Sequence, residues 1–133
     1  MAVKQWRKVK PLEDDGAIEQ LQKKYGVKLS KDLADCIRTN NGGRPKPNGI
    51  IFGNGTESDV KALLSYNEND TENIYKVIEY FAKKYKGRAV PFAMDSCGNY
   101  YCEVNKKIVY WMQDGNVLPV CNSFEEFIEA ICD

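Results

Sequence analysis

Apolar residues recur at helical spacing in four stretches of the chain, and they alternate with polar residues or run unbroken in six others. Ile18, Leu21 and Tyr25 share one helix face, and Gly26 follows as a stop signal. Ser30 stands as an N-cap before the stripe Leu33, Cys36 and Ile37. Ile74, Val77, Ile78, Phe81, Ala82 and Tyr85 fit i, i+3, i+4, i+7 spacing and predict a long third helix. Ser123 and Glu126 form a capping box ahead of Phe124, Phe127, Ile128 and Ile131. The remaining apolar segments, IIF (50–52), VKALLSY (60–66), AVPFAM, NYYCEV, KIVYWM and VLPVC, read as strands. The turns GNGT, DSCG, NK and DGN separate several of them, and connections this short join antiparallel neighbours. Pro91 and Pro119 cannot donate to a ladder and belong at edges or irregularities.

The order ααββαββββα predicts one α+β domain over residues 1–133: a mainly antiparallel, meandering β-sheet packed by about four α-helices. The stretch NNGGRPKPNG (40–49) falls between the second helix and the first strand. A phosphate loop needs glycines leading from a strand into a helix N-terminus. Here the order is reversed, so the stretch reads as a helix stop followed by an extended, proline-stiffened run.

Charge adds an asymmetry. Nineteen basic and nineteen acidic side chains cancel overall, yet residues 1–12 form a basic segment with Lys4, Arg7, Lys8 and Lys10. Residues 113–133 carry Asp114, Glu125, Glu126, Glu129 and Asp133 with no Lys or Arg, which favours a basic partner. Only the N-terminal segment gathers cations, so nucleic acid is not the expected ligand. No apolar run is long enough for a membrane helix, and no export signal precedes the fold, so a cytoplasmic protein is expected.

Histidine is absent, which removes the usual neutral-pH base and the commonest zinc ligand. The five cysteines include no CxxC pair and are expected as reduced thiols. No catalytic residue, metal set or cofactor is expected. An enzyme built on this chain would need an activated thiol, and Cys97 in its turn is the candidate.

The segment KYGVKLSKDLADCIRTNNGGRPKPN resembles the opening of the SUKH superfamily, which holds the fungal Smi/Knr cell-wall regulators and many bacterial toxin-immunity proteins. The matching features are Tyr25–Gly26–Val27–Lys28–Leu29 and Asn41–Gly42–Gly43, with Ser30 where the family typically has proline. LLSYNENDTENIYKVIEYF is similar to the second strand and central helix. VPFAMDSCGNYYCEV resembles the family hairpin through Pro91, Phe92, Ala93, Asp95, Gly98 and Asn99. Trp111 and the closing SFEEFIEAI complete the resemblance. It implies a non-enzymatic immunity protein that binds and neutralises a cognate toxin domain, or alternatively a regulatory adaptor for an endogenous protein.

Seven residues are candidates for partner binding. Glu57 and Asp59 precede the second strand, and Glu68, Asp70 and Glu72 follow it, so both ends collect negative charge. Such acids can mimic phosphates and enter the cationic active site of a nuclease. Asp70 and Glu72 also fall where they would complement the dipole of the third helix. Asp95 and Asn99 flank the DSCG turn, where a polar cluster could meet a ligand or Asp95 could simply bond the turn's own amides. Of Tyr100 and Tyr101, one faces the core and its neighbour the solvent; Trp111 is either core or a binding anchor, and Trp6 tacks the N-terminus onto the body.

Overall fold

The computed structural model describes residues 3–133. In chain order the elements are β1 (Gln5–Arg7), α1 (Ala17–Tyr25), α2 (Lys31–Asn40), β2 (Arg44–Lys46), β3 (Gly49–Ile51), β4 (Glu57–Asp59) and β5 (Ala62–Leu63). A 3-10 turn (Ile74–Lys76) leads into α3 (Ile78–Lys84). There follow β6 (Ala89–Met94), β7 (Tyr100–Val104), β8 (Lys107–Trp111), β9 (Val117–Cys121), α4 (Phe124–Ala130) and β10 (Ile131–Cys132).

The antiparallel meander β5-β6-β7-β8-β9 is the frame, and its turns follow from local chemistry. Asn105 and Lys106 both take positive φ (52° and 69°), the mirror-image turn whose twist matches a two-residue hairpin. Pro91 and Pro119 lie where the β6–β7 and β8–β9 registers shift, as proline's missing donor requires. Gly26 ends α1 at φ 66°, and the Ser30 hydroxyl accepts from Leu33 N at the start of α2.

Alternation divides the sheet. Val90, Phe92, Tyr101, Ile108, Tyr110 and Val120 join the main core with α1, α2 and α4. Phe127 of α4 meets the rings of Phe92 and Tyr101 at 5.0 and 5.1 Å. On the other face, Phe81 of α3 packs on Ala89 and Cys102 in a second, smaller cluster.

Three elements differ from expectation. The third helix is not continuous: Val77 (φ −126°) breaks it into a 3-10 turn and α3. Ile74 of the 3-10 turn and Ile78 of α3 serve the main core, whereas Phe81 of α3 serves the second cluster. Residues 60–66 do not form one strand. Gly49–Ile51, one residue earlier than IIF, pairs instead with Glu57–Asp59, and only Ala62–Leu63 joins the meander, so two small sheets (β1-β2 and β10-β3-β4) flank the large one. Ile131 leaves the last helix to pair with Ile50, while Ser123 still caps it through Glu126 N.

Loops close the remaining edges. Gly53 N–H donates to Val120 O (3.1 Å) on the outer side of β9. The N-terminal segment is sewn down rather than solvated. Buried Asn41 donates from Nδ2 to Lys10 O (2.8 Å) and Ser65 Oγ (3.0 Å), and accepts from Tyr66 N (2.8 Å). Trp6, half-buried, packs against the core, and a Cβ on Gly43 would lie 3.1 Å from its ring and 2.8 Å from Asn40 O. Hence glycine is required at 43.

Asn41→Ala strands a buried amide and a carbonyl, so it should cost about 2–3 kcal/mol in a urea titration, against under about 1 kcal/mol for Asn40→Ala. The Tyr66 hydroxyl is buried without a partner, and desolvation raises its pKa strongly. The folded protein therefore holds that proton when unfolded chains release theirs near pH ~10. Stability is intact below that pH and falls above it. Tyr66→Phe should flatten this alkaline loss in melts from neutral pH to about 11 without lowering stability at pH ~7.

Candidate protein-docking surface

The acidic candidates do not form one face. Asp95 is buried: Oδ1 accepts from Cys97 N (2.9 Å) and Asn99 N (2.8 Å), and Oδ2 from the Tyr110 hydroxyl and Asn99 Nδ2. Asn99 also donates to Tyr110 Oη (2.8 Å) and accepts from Gln113 N (3.0 Å). These bonds stitch three strand ends together. Asp59 accepts from the backbone and hydroxyl of Ser96, on the neighbouring turn.

Asp70 accepts from Ser65 Oγ (2.5 Å), and Glu72 bridges Arg44 (3.4 Å) and Lys61 (2.6 Å). Neither Asp70 nor Glu72 starts a helix. Asn73 caps the 3-10 turn, Glu79 is the acid in the first turn of α3, and the expected dipole role is thereby corrected. Glu57 and Glu68 alone of the seven are exposed carboxylates with no ion pair among the described residues.

An apolar strip went unread in the sequence. Along β8 and β9, Val109 and Trp111 alternate with the buried Ile108 and Tyr110, so they point to the other face. Val109 pairs with Pro119 and Trp111 with Val117. α3 reaches only part of this face: Tyr80 and Phe81 contact the Trp111 ring at 5.7 and 5.3 Å. Lys84 stands 5.8 Å from the same ring. Val117 stays 43% exposed and Tyr80 50%, beside Trp111.

At the far end of the strip, a groove of about 670 Å³ is lined by Ile51, Val109, Pro119 and Cys121, with Glu126 and Glu129 among its polar residues. Ile51 is 50% exposed, so every large hydrophobic side chain exposed among the described residues borders this strip or its groove. The signal was present. KIVYW and VLPVC carry apolar residues on both faces, and one short helix cannot cover them all.

Three of the five thiols are turned away from nucleophilic chemistry by burial. Burial raises the thiol pKa of Cys36 and Cys102, and that of Cys121 to about 11. Cys97 is exposed, with its amide bonded to Asp95. No group of three or more His, Cys, Asp or Glu among the described residues could hold a metal, and no helix among them is long and apolar enough to cross a membrane.

Residues 13–130 match the SMI1 / KNR4 family (SUKH-1). The chain belongs to that family. No curated protein and no solved structure matches it. Several residues that carry the SUKH likeness have interior work here: Asn41 holds the N-terminus, Gly43 admits Trp6, and Asp95 with Asn99 ties the hairpin ends. The β9 residues Val117 and Pro119, by contrast, are exposed side chains beside Trp111 and Val109.

If the strip exists for contact rather than stability, Val117→Asp should shift the unfolding free energy by under about 0.5 kcal/mol. Phe127→Ala, in the core, should cost about 3–5 kcal/mol on the same denaturation curve.

Proposed function

We propose that the protein is a non-enzymatic, cytoplasmic immunity protein that binds and neutralises a cognate, contact-delivered bacterial toxin, a nuclease or other cytotoxic enzyme. The observation that carries this reading is the half-covered sheet face of a SUKH chain, where Trp111, Tyr80 and Val117 form an apolar strip that leads through Val109 and Pro119 to a groove at its far end. Apolar patches with aromatic anchors and polar rims are the composition of protein interfaces. Glu126 and Glu129, which outnumber Lys107 at the groove and lie within a C-terminal stretch lacking Lys and Arg, suit a basic toxin surface. Binding rather than catalysis is supported by the absence of histidine and by the internal bonding of Asp95 and Glu103.

Co-expression with the toxin domain encoded beside it tests the reading. Rescue of growth and co-purification are expected. Trp111→Ala with Val117→Asp should weaken the complex by about 30-fold or more, equivalent to about 2 kcal/mol. Lys83→Glu, on an exposed side chain of α3, should leave affinity within about twofold. Failure to rescue and to co-purify would defeat the proposal, and a stable host partner captured without any toxin present would turn it into an adaptor.

A further inference from the structure

A second groove, of about 630 Å³, shares no lining residue with the apolar one. Arg7, Lys8, Arg44, Lys46 and Lys61 line it, and no carboxylate does. The cations come from three separate segments, so their convergence is a product of the fold: β1 pairs with β2, and the chain entering β5 brings Lys61.

Two further observations single the groove out. Arg7 and Arg44 are direct cross-strand partners, and like charges directly opposite destabilise a ladder. Arg7, Lys8 and Lys46 have no ion pair among the described residues. Arg44 and Lys61 already share the Glu72 carboxylate, at 3.4 and 2.6 Å, which shows what these cations hold.

We propose that this groove docks an acidic segment of a protein partner, with Arg7, Lys8 and Lys46 receiving its carboxylates and extending the arrangement Glu72 begins. An acidic peptide is favoured over nucleic acid by what lines the groove: no aromatic side chain is among its lining residues, so bases would find no ring to stack on, whereas carboxylates need only the cations. The inference is independent of the toxin reading and goes beyond it.

The test is fluorescence anisotropy of the whole protein titrated into a labelled hexaglutamate peptide at about 20 and about 200 mM NaCl. Saturable binding is expected, at least about fivefold weaker in the higher salt. Arg7→Glu with Lys46→Glu should weaken it at least tenfold, roughly 1.4 kcal/mol, while Lys83→Glu changes it less than about twofold. Both substituted positions are exposed, and an unchanged urea midpoint confirms that the variant is folded. If that midpoint moves, amide shift changes at Arg7, Lys8 and Lys46 on adding peptide to the parent protein decide instead: their presence supports the proposal and their absence overturns it. No binding up to about 1 mM peptide at low salt overturns the proposal. So does equal weakening by Lys83→Glu, or tighter binding of a labelled six-nucleotide single strand. Neither probe involves a toxin, so failure here leaves the rescue experiment standing, and the reverse holds.

Discussion

One carboxamide fixes how the pieces of this fold meet. Asn41 sits at the end of α2 with both polar atoms used, holding Lys10 O and Ser65 Oγ on one side and Tyr66 N on the other. A buried amide with all partners satisfied rigidifies its neighbours, and one with a partner missing costs the full desolvation. The other end of α2 is held equally firmly: Glu103 of β7, itself buried, accepts from Ser30 N (2.9 Å) and Ser30 Oγ (2.6 Å). Asn67 adds a third tie, accepting from Glu13 N and donating to Pro11 O. Through these bonds the polar N-terminal stretch becomes part of the body, and the β1–β2 ribbon is placed where its cations face Lys61.

Local chemistry was legible. Ser30, Gly26, Ser123 and the Asn105–Lys106 turn each do what their side chains or backbone freedom dictate, and the alternating strands gave the order of the meander. What escaped reading was set by distant contacts. Nothing around Val77 foretells that Ile74 and Ile78 must serve one core and Phe81 another. The short hairpin that sets Ile51 against Glu57 is completed on its other side by β10, arriving from the far end of the chain. Of the candidate site, acids clustered in sequence turned out to hold Ser96, Ser65, Arg44 and Lys61. The surfaces available for contact arise where strands lie side by side or separate segments converge, which spacing within one segment does not encode.

Family membership and surface chemistry point in one direction. The motif residues of a SUKH chain are occupied with holding the scaffold, while the aromatic strip, acidic rim and basic groove lie on side chains the scaffold does not need in its interior. Opposite charges on separate faces of one small body give it a field that orients an oppositely patterned molecule during approach.

The bond from Gly53 to Val120 bears on how the protein behaves at high concentration. An outermost strand with free carbonyls and amides invites identical strands to add on, and a loop amide already seated on the Val120 carbonyl interrupts that recruitment. Addition of a second copy along this edge is thereby disfavoured, and whatever approaches this side meets side chains across the sheet more readily than a free backbone pattern.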